Sequence, residues 1–239
     1  MSGLKNFKKN MVMLITVGML SACAGEESKD IEIDFNDNAD EWEYGFSDYP
    51  RPQENIFELS AEQTLLPASL ATNQRGYKLS GNNRSDDLYM FVAKEFTGFL
   101  ANTRYDVQFE ITFGTNAPSN CVGVGGAPGE SVYIKAGASS VQPLSIDDGN
   151  NEYLMNIDKG NQATGGSDAI VLGDFANGTD CEENDTSYRA KTLSSVADTF
   201  SAYTSDDGSL WIMFGVDSGF ESTTTIYLME GKFKAEKVE

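Results

Sequence analysis

Residues 104–113, RYDVQFEITF, constrain the fold of this chain more than any other stretch. Tyr105, Val107, Phe109, Ile111 and Phe113 fall on one side, and Arg104, Asp106, Gln108, Glu110 and Thr112 on the other. Strict alternation over ten residues fits the two-residue repeat of a strand and no helical period. One apolar face and one wet face place such a strand in an antiparallel sheet. Further runs read the same way: residues 31–35, 76–81, 88–96, 131–137, 152–157, 188–193, 200–204, 210–216 and 224–235. LWIMFGV (210–216) is apolar on both faces and is expected at the centre of a sheet covered on both sides. Only Ala61 to Leu70 suggests a turn or two of helix. Many strands separated by Gly, Asn and Asp turns predict an all-β chain, a two-sheet antiparallel sandwich of jelly-roll type.

The beginning of the chain has a different grammar. Lys5, Lys8 and Lys9 precede an uncharged apolar run, Met11 to Leu20, which gives way to Ser21, Ala22 and Cys23. This is the order of an export signal, and the apolar run is shorter than the roughly 20 residues a spanning helix needs. The quartet Leu20-Ser21-Ala22-Cys23 resembles the lipobox of bacterial lipoproteins. The resemblance implies cleavage before Cys23, a diacylglyceryl group on its sulfur and an acylated new amino end. Several acyl chains anchor durably where one is marginal. The expected organisation is a signal peptide over 1–22, a lipidated cysteine and tether over 23–30, and a single sandwich domain over 31–239. The expected location is the cell envelope of a bacterium. Ala24 rather than Asp after the cysteine favours the outer membrane over the inner one.

Charge and composition exclude several function classes. The chain has 17 basic and 37 acidic residues, and removing the first 22 residues takes three lysines and no acid, moving the formal charge from −20 to −23. Such a surface repels phosphates, so nucleic acid is not an expected partner. The chain has no histidine. A Ser-His-Asp or Cys-His nucleophile and His-ligated metals are thereby excluded. What remains is a carboxylate pair of the glycosidase kind, for which Glu110 and Glu130 are candidates, or oxygen-ligated calcium. Cys121 and Cys181 are an even pair in an exported chain, which suggests a disulfide, with two free thiols as the alternative.

Three stretches resemble jelly-roll carbohydrate-binding modules: IDFNDNADEWEYGF (33–46) their first strand, FTGFLANTRYDVQFEITF (96–113) their core strand, and TTIYLMEGKF (224–233) their closing strand. The region from Thr115 to Asp185, with both cysteines, departs from a minimal module as an insert. The resemblance implies a structural calcium between the first and last strands, with Asp34, Asn36 and Glu230 as ligands. The same acidic stretch does not make an EF-hand loop, since Ala39 stands where the turn glycine belongs. Trp42, Tyr44 and Phe46 alternate as core residues, whereas Tyr49 lies in a Pro-flanked segment expected to be an exposed loop. Sandwich loops commonly carry binding sites. DKGNQATGGSDA (158–169) offers Asp158, Asn161, Gln162 and Asp168, and NNRSDD (82–87) offers Arg84. The reading taken forward is a lipid-anchored, non-catalytic binding domain, with carbohydrate as the expected ligand class. An assembly lipoprotein contacting envelope proteins, or a carboxylate-based glycan-active enzyme, are the alternatives.

Overall fold

The computed structural model describes residues 25–37, 41–195 and 200–239. Cys23, with the lipidation expected there, and the expected signal peptide over 1–22 lie outside the described residues. The strands are, in chain order, β1 (Ser28–Asp34), β2 (Glu43–Ser47), β3 (Tyr49–Pro50), β4 (Ser60–Leu65), β5 (Arg75–Asn82), β6 (Leu88–Phe96), β7 (Arg104–Thr115), β8 (Val132–Ser139), β9 (Ser145–Asp147), β10 (Glu152–Met155), β11 (Ala169–Asp174), β12 (Arg189–Ser194), β13 (Phe200–Tyr203), β14 (Leu210–Ser218) and β15 (Thr223–Lys237). No helix among the described residues is long and apolar enough to cross a membrane.

Two antiparallel sheets face each other, as the alternation predicts. One runs β12-β7-β15-β5-β4, with β1 also on β15 and β13 also on β7; the other runs β11-β8-β14-β6-β2. The apolar side of β7 is buried from Tyr105 to Phe113 and meets the inner side of β14, where Phe109 stands edge-on to Phe214 at 6.3 Å. Strand β14 is central in its sheet, as its two apolar faces predict. Its outer side, Met213 to Asp217, is also buried, because residues 153–168 and a small β3-β10-β9 sheet cover it.

The structure corrects several expectations, four of them here. Strand β1 begins at Ser28, so residues 28–30 are paired with β15 rather than serving as tether, and Glu26 already bonds Gly98 O at 2.8 Å. The long β15 offers an otherwise unpaired edge out to Lys237, and the chain occupies it. Residues 60–65 form an edge strand instead of helix; the turn comes later, where Leu70 N–H donates to Pro67 O. The region from Thr115 to Asp185 is no insert as a whole, since β8 and β11 are members of the second sheet. Finally, Trp42 is buried against Phe35 and Phe214, but Tyr44 is 57% exposed, because β2 is an edge strand whose inner side reaches solvent.

The strand directions define two poles. Tyr105, at the start of β7, donates its hydroxyl to Glu26 O, and Lys237 N–H donates to Glu27 O, so the N-terminal described residues and the chain end share the proximal pole. Thr115 at the other end of β7 pairs with Arg189, and Ser218 pairs with Leu88 and Val132, which sets the distal pole. The loops there are tied together: Asn83 N–H donates to Ser222 O, Gly219 N–H to Ser131 O and Phe175 N–H to Gly129 O.

Candidate functional site

The distal loop cluster holds the chemistry that is least expected of a plain sandwich. At its heart is a buried ionic knot on the outer face of the second sheet. Lys135 projects from β8 and Asp217 from β14; the cross-strand partner of Lys135 is Gly215, two residues before Asp217, so both side chains lie on the outward parity of their strands. Both are fully buried and Lys159 is nearly so. Asp217 Oδ2 accepts from Lys135 Nζ and Lys159 Nζ at 2.9 Å each and from Gln162 N–H at 3.1 Å. Lys159 Nζ reaches Asp48 Oδ2 at 3.0 Å and lies 4.8 Å from the centre of the Tyr89 ring. Lys135 also donates to the Lys159 and Thr164 carbonyls. Buried charges persist only when paired and hydrogen-bonded, and here nearly every atom is.

Two atoms stand apart. Asp217 Oδ1 and Asp87 Oδ1 are buried without a partner as long as both carboxyls are ionised. A proton on Asp87 satisfies both, because the acid then donates to the neighbouring carboxylate. Burial, the Asp217 charge and that hydrogen bond push the Asp87 carboxyl up to about 8. Burial also works against the Asp217 charge, but Lys159, the Asp87 hydrogen bond and Lys135 outweigh it and hold Asp217 below the usual carboxylate range. Burial draws the Lys135 ammonium down, while for Lys159 the carboxylates of Asp217 and Asp48 overcome burial and draw it up. Two ammoniums against Asp48 and Asp217, with Asp87 neutral, make a knot of zero net charge.

Asp48, Asp87 and Asp217 are also the one group of three carboxylates among the described residues close enough to share a metal ion. The donor set does not favour one. Lys159 already holds the Asp48 and Asp217 oxygens, and a second ammonium adjoins it, so a divalent cation would meet two positive charges. Nor is this a glycosidase pair, whose carboxyls stand roughly 5–9.5 Å apart across a cleft; these share a hydrogen bond under a covering loop.

The structure joins the two loops singled out in the sequence. Gln162 Nε2 donates to Asp86 O at 3.0 Å, which fastens 158–168 to 82–87. Asp158 and Asp168 face inward to their own loop: Asp158 accepts from Gly160 and Ser167 N–H, and Asp168 from Asp158 N–H. Asn161 closes the hairpin through paired backbone bonds to Thr164 and is exposed, as is Arg84. Tyr49 is a correction. It is buried in β3 between Phe57 and Tyr153, with ring centres 5.2 and 5.1 Å away, so it presents no surface to a ligand. Non-local pairing of β3 with β10 overrides the loop signal of its prolines.

The expected calcium ligands are only partly brought together. Asp34 and Glu230 are cross-strand partners and line a shallow groove with Glu32, Glu110 and Lys232. Asn36 is a correction: its side-chain oxygen accepts from Arg75 N–H, and its own N–H donates to Asp34 Oδ1, so it serves the turn and is not part of the groove.

Beside the knot, the expected disulfide is formed: Cys121 and Cys181 are bonded, with Cα atoms 5.1 Å apart. The linked loops also pair through Ser119 N–H to Thr179 O and Cys181 N–H to Ser119 O. Against them lies a depression of about 390 Å³ lined by Ser119, Glu130, Asp174, Asn177 and Lys191, among others. Lys191 gives its three donors to Asp174 Oδ1 and to the Asp174 and Ala176 carbonyls. The loop tip exposes Val122 and Val124. Sequence reasoning passed over this depression apart from Glu130, because its residues lie on separate loops with no shared motif.

No protein-family profile matches the chain, and no curated protein matches it significantly. Similar solved structures include a carbohydrate-binding module of the β-sandwich superfamily, at 12% identity and a TM-score of 0.38, over 90% of this chain and 63% of the other. A xylan-binding domain from Paenibacillus barcinonensis has 10% identity and a TM-score of 0.38, over 90% and 98%. A family 11 carbohydrate-binding module from Clostridium thermocellum has 11% identity and a TM-score of 0.35, over 89% and 96%. The chain thus spans less than two thirds of the first of these. At such scores the likeness assigns neither family nor ligand.

Proposed function

We propose that this protein is a lipid-anchored lipoprotein of the bacterial cell envelope whose sandwich is a non-catalytic binding domain for carbohydrate. The observation that carries the reading is polarity of the fold. Gly25, two residues after Cys23, lies at the proximal pole, and the tied loop cluster lies at the distal one. A lipid on Cys23 then leaves the distal loops facing away from the membrane. Ala24 favours the outer membrane. The non-catalytic part rests on the knot: the carboxyl with the strongly raised pKa is sealed against Asp217 rather than facing a cleft.

Cys23→Ser tests the anchor. The variant is expected in the aqueous phase on detergent partitioning, with its leader uncleaved; retention in the detergent phase with normal cleavage overturns the anchor. A glycan array together with a titration by free glycosides tests the ligand class, and silence in both overturns it. A second reading, an assembly lipoprotein, is favoured by Val122, 98% exposed at the distal tip, and Val124 beside it. A photo-crosslinker at position 122 captures a single envelope protein if that reading holds, and nothing reproducible if it does not.

A further inference from the structure

The depression between the disulfide-linked loops has an unusual balance of hydrogen-bonding groups. Asn177 Oδ1 accepts from Thr179 N–H at 2.9 Å and from Thr179 Oγ1 at 2.6 Å. Those two donors fix which end of the amide is oxygen and hold its plane. Asn177 Nδ2 is left buried, a donor with no acceptor. Glu130 Oε1 accepts from Asn120 N–H at 2.7 Å, which fixes that carboxylate, and Glu130 Oε2 is left buried, an acceptor with no donor. Both side chains line the same depression. Each side chain is therefore held by its bonded end, with one donor and one acceptor left unpaired. A buried group left unpaired is destabilising, so a ligand that completes both gains on each.

We propose that this depression is a binding site for a pair of neighbouring hydroxyl groups of a neutral sugar, with Asn177 Nδ2 donating to one oxygen and Glu130 Oε2 accepting from the other. A hydroxyl serves as donor and acceptor alike, so an adjacent pair answers both groups. The charges decide against ions. The Glu130 carboxylate opposes a phosphate or a carboxylate. The Lys191 ammonium and the Asn177 N–H oppose a metal cation, and one free carboxylate oxygen is too few for calcium, which takes 6–8 oxygens. Lys191 is itself saturated by Asp174 and Ala176 and adds no open donor. A space of about 390 Å³ falls within the ordinary range for small-molecule sites. No aromatic ring lines it, so one sugar unit is held by its edge, with a Kd on the order of millimolar.

The inference deepens the carbohydrate reading and rests on it. The test uses the mature lipidated protein in a detergent without a sugar headgroup, labelled with ¹⁵N, and follows the Asn177 side-chain NH₂ pair together with the backbone amides of Ser119, Gly178 and Lys191, which also line the depression and remain in both variants. The probes are methyl glycosides of glucose, galactose, mannose and xylose, with inorganic phosphate, calcium and N-methylacetamide beside them. A saturable shift of the Asn177 pair with at least one glycoside, and none with phosphate or calcium, is expected. Glu130→Gln keeps the oxygen that Asn120 uses and is expected to melt as the parent does; Asn177→Asp keeps the oxygen that Thr179 uses but adds a buried charge, so its melt is recorded beside its binding. Each is expected to weaken glycoside binding at least tenfold. Glycoside binding that neither variant alters overturns this site and leaves the carbohydrate reading standing. A shift of Asn177 by N-methylacetamide alone assigns the site to peptide and overturns the sugar assignment. Silence of every resonance towards every glycoside, with a silent array, overturns both.

Discussion

Asp217 is the residue on which the distal pole turns. It is fully buried, and one of its oxygens is shared by two ammoniums and a backbone N–H. Removing one partner of a buried ion pair leaves the other charge uncompensated, at a cost of about 3–5 kcal/mol. Asp217→Ala is therefore expected to lower the unfolding free energy by that much, read as a lower urea midpoint at an unchanged slope. Asp87 gives the knot a pH dependence of unusual sign. Its folded-state value, about 8, lies above the ordinary 3.8, so between those values the folded protein binds the extra proton. Stability from this group falls as pH rises from about 4 to about 8 and is level beyond. Asp217, shifted down, acts oppositely and only in the acid: its contribution is lost as pH falls below its ordinary value of 3.8. Asp87→Asn supplies a permanent donor to Asp217. Thermal melts from pH 4.5 to 8.5 are expected to flatten, with the variant more stable than the parent at the alkaline end. A parallel pair of curves speaks against a proton on Asp87.

At the scale of elements, the segment between β8 and β11 is held to the sheet by polar pins as well as by apolar contacts. Ile157 and Met155 pack on Tyr89, Phe91 and Met213, while Lys159 and Gln162 reach Asp217. The neighbouring loops rely on their covalent link. The disulfide spans 60 residues, a closure worth about 4 kcal/mol in the chain-entropy account. Replacing both cysteines by serine is expected to destabilise by that order, and hydrogen exchange is expected to rise first in 116–131 and 175–187. Elements that carry their own pattern were legible: β7, β14 and β15 alternate or are apolar throughout. Strand β4 was not, because SAEQTL is an edge strand whose residues are half wet on both sides. Strand β11 was missed for a related reason, being short, half-buried and interrupted by Gly173.

Across the whole molecule, net charge sets the conditions in which the fold is comfortable. A formal charge of −20 over 239 residues is self-repulsive, and the surface ion pairs do not offset it. Screening length falls from about 30 Å at 0.01 M salt to about 8 Å at 0.15 M. Potassium chloride over that range is expected to raise the melting temperature; a melting temperature that falls with salt places ion pairs above repulsion. The same charge keeps the domain off anionic bilayers. Attachment thus depends on Cys23 in the proposed function, and the roughly 40 Å of β7 separates the attached pole from the distal loops.

The sequence by itself determined what depends on neighbours along the chain. Alternation marked the longer strands and the buried side of β7, the absence of histidine removed whole classes of chemistry, and the cysteine pair pointed to its bridge. Only the tertiary structure decided what depends on residues far apart in sequence. Lys135 reads as one more wet position in a strand until 153–168 is laid over it. Tyr49 reads as loop until β10 pairs with its backbone, and Glu130 and Asn177 line one depression only because loops far apart in sequence are tied together by backbone bonds and by Cys121–Cys181. Local pattern governs which way a side chain points; burial and charge pairing are set by whatever the fold then brings against it.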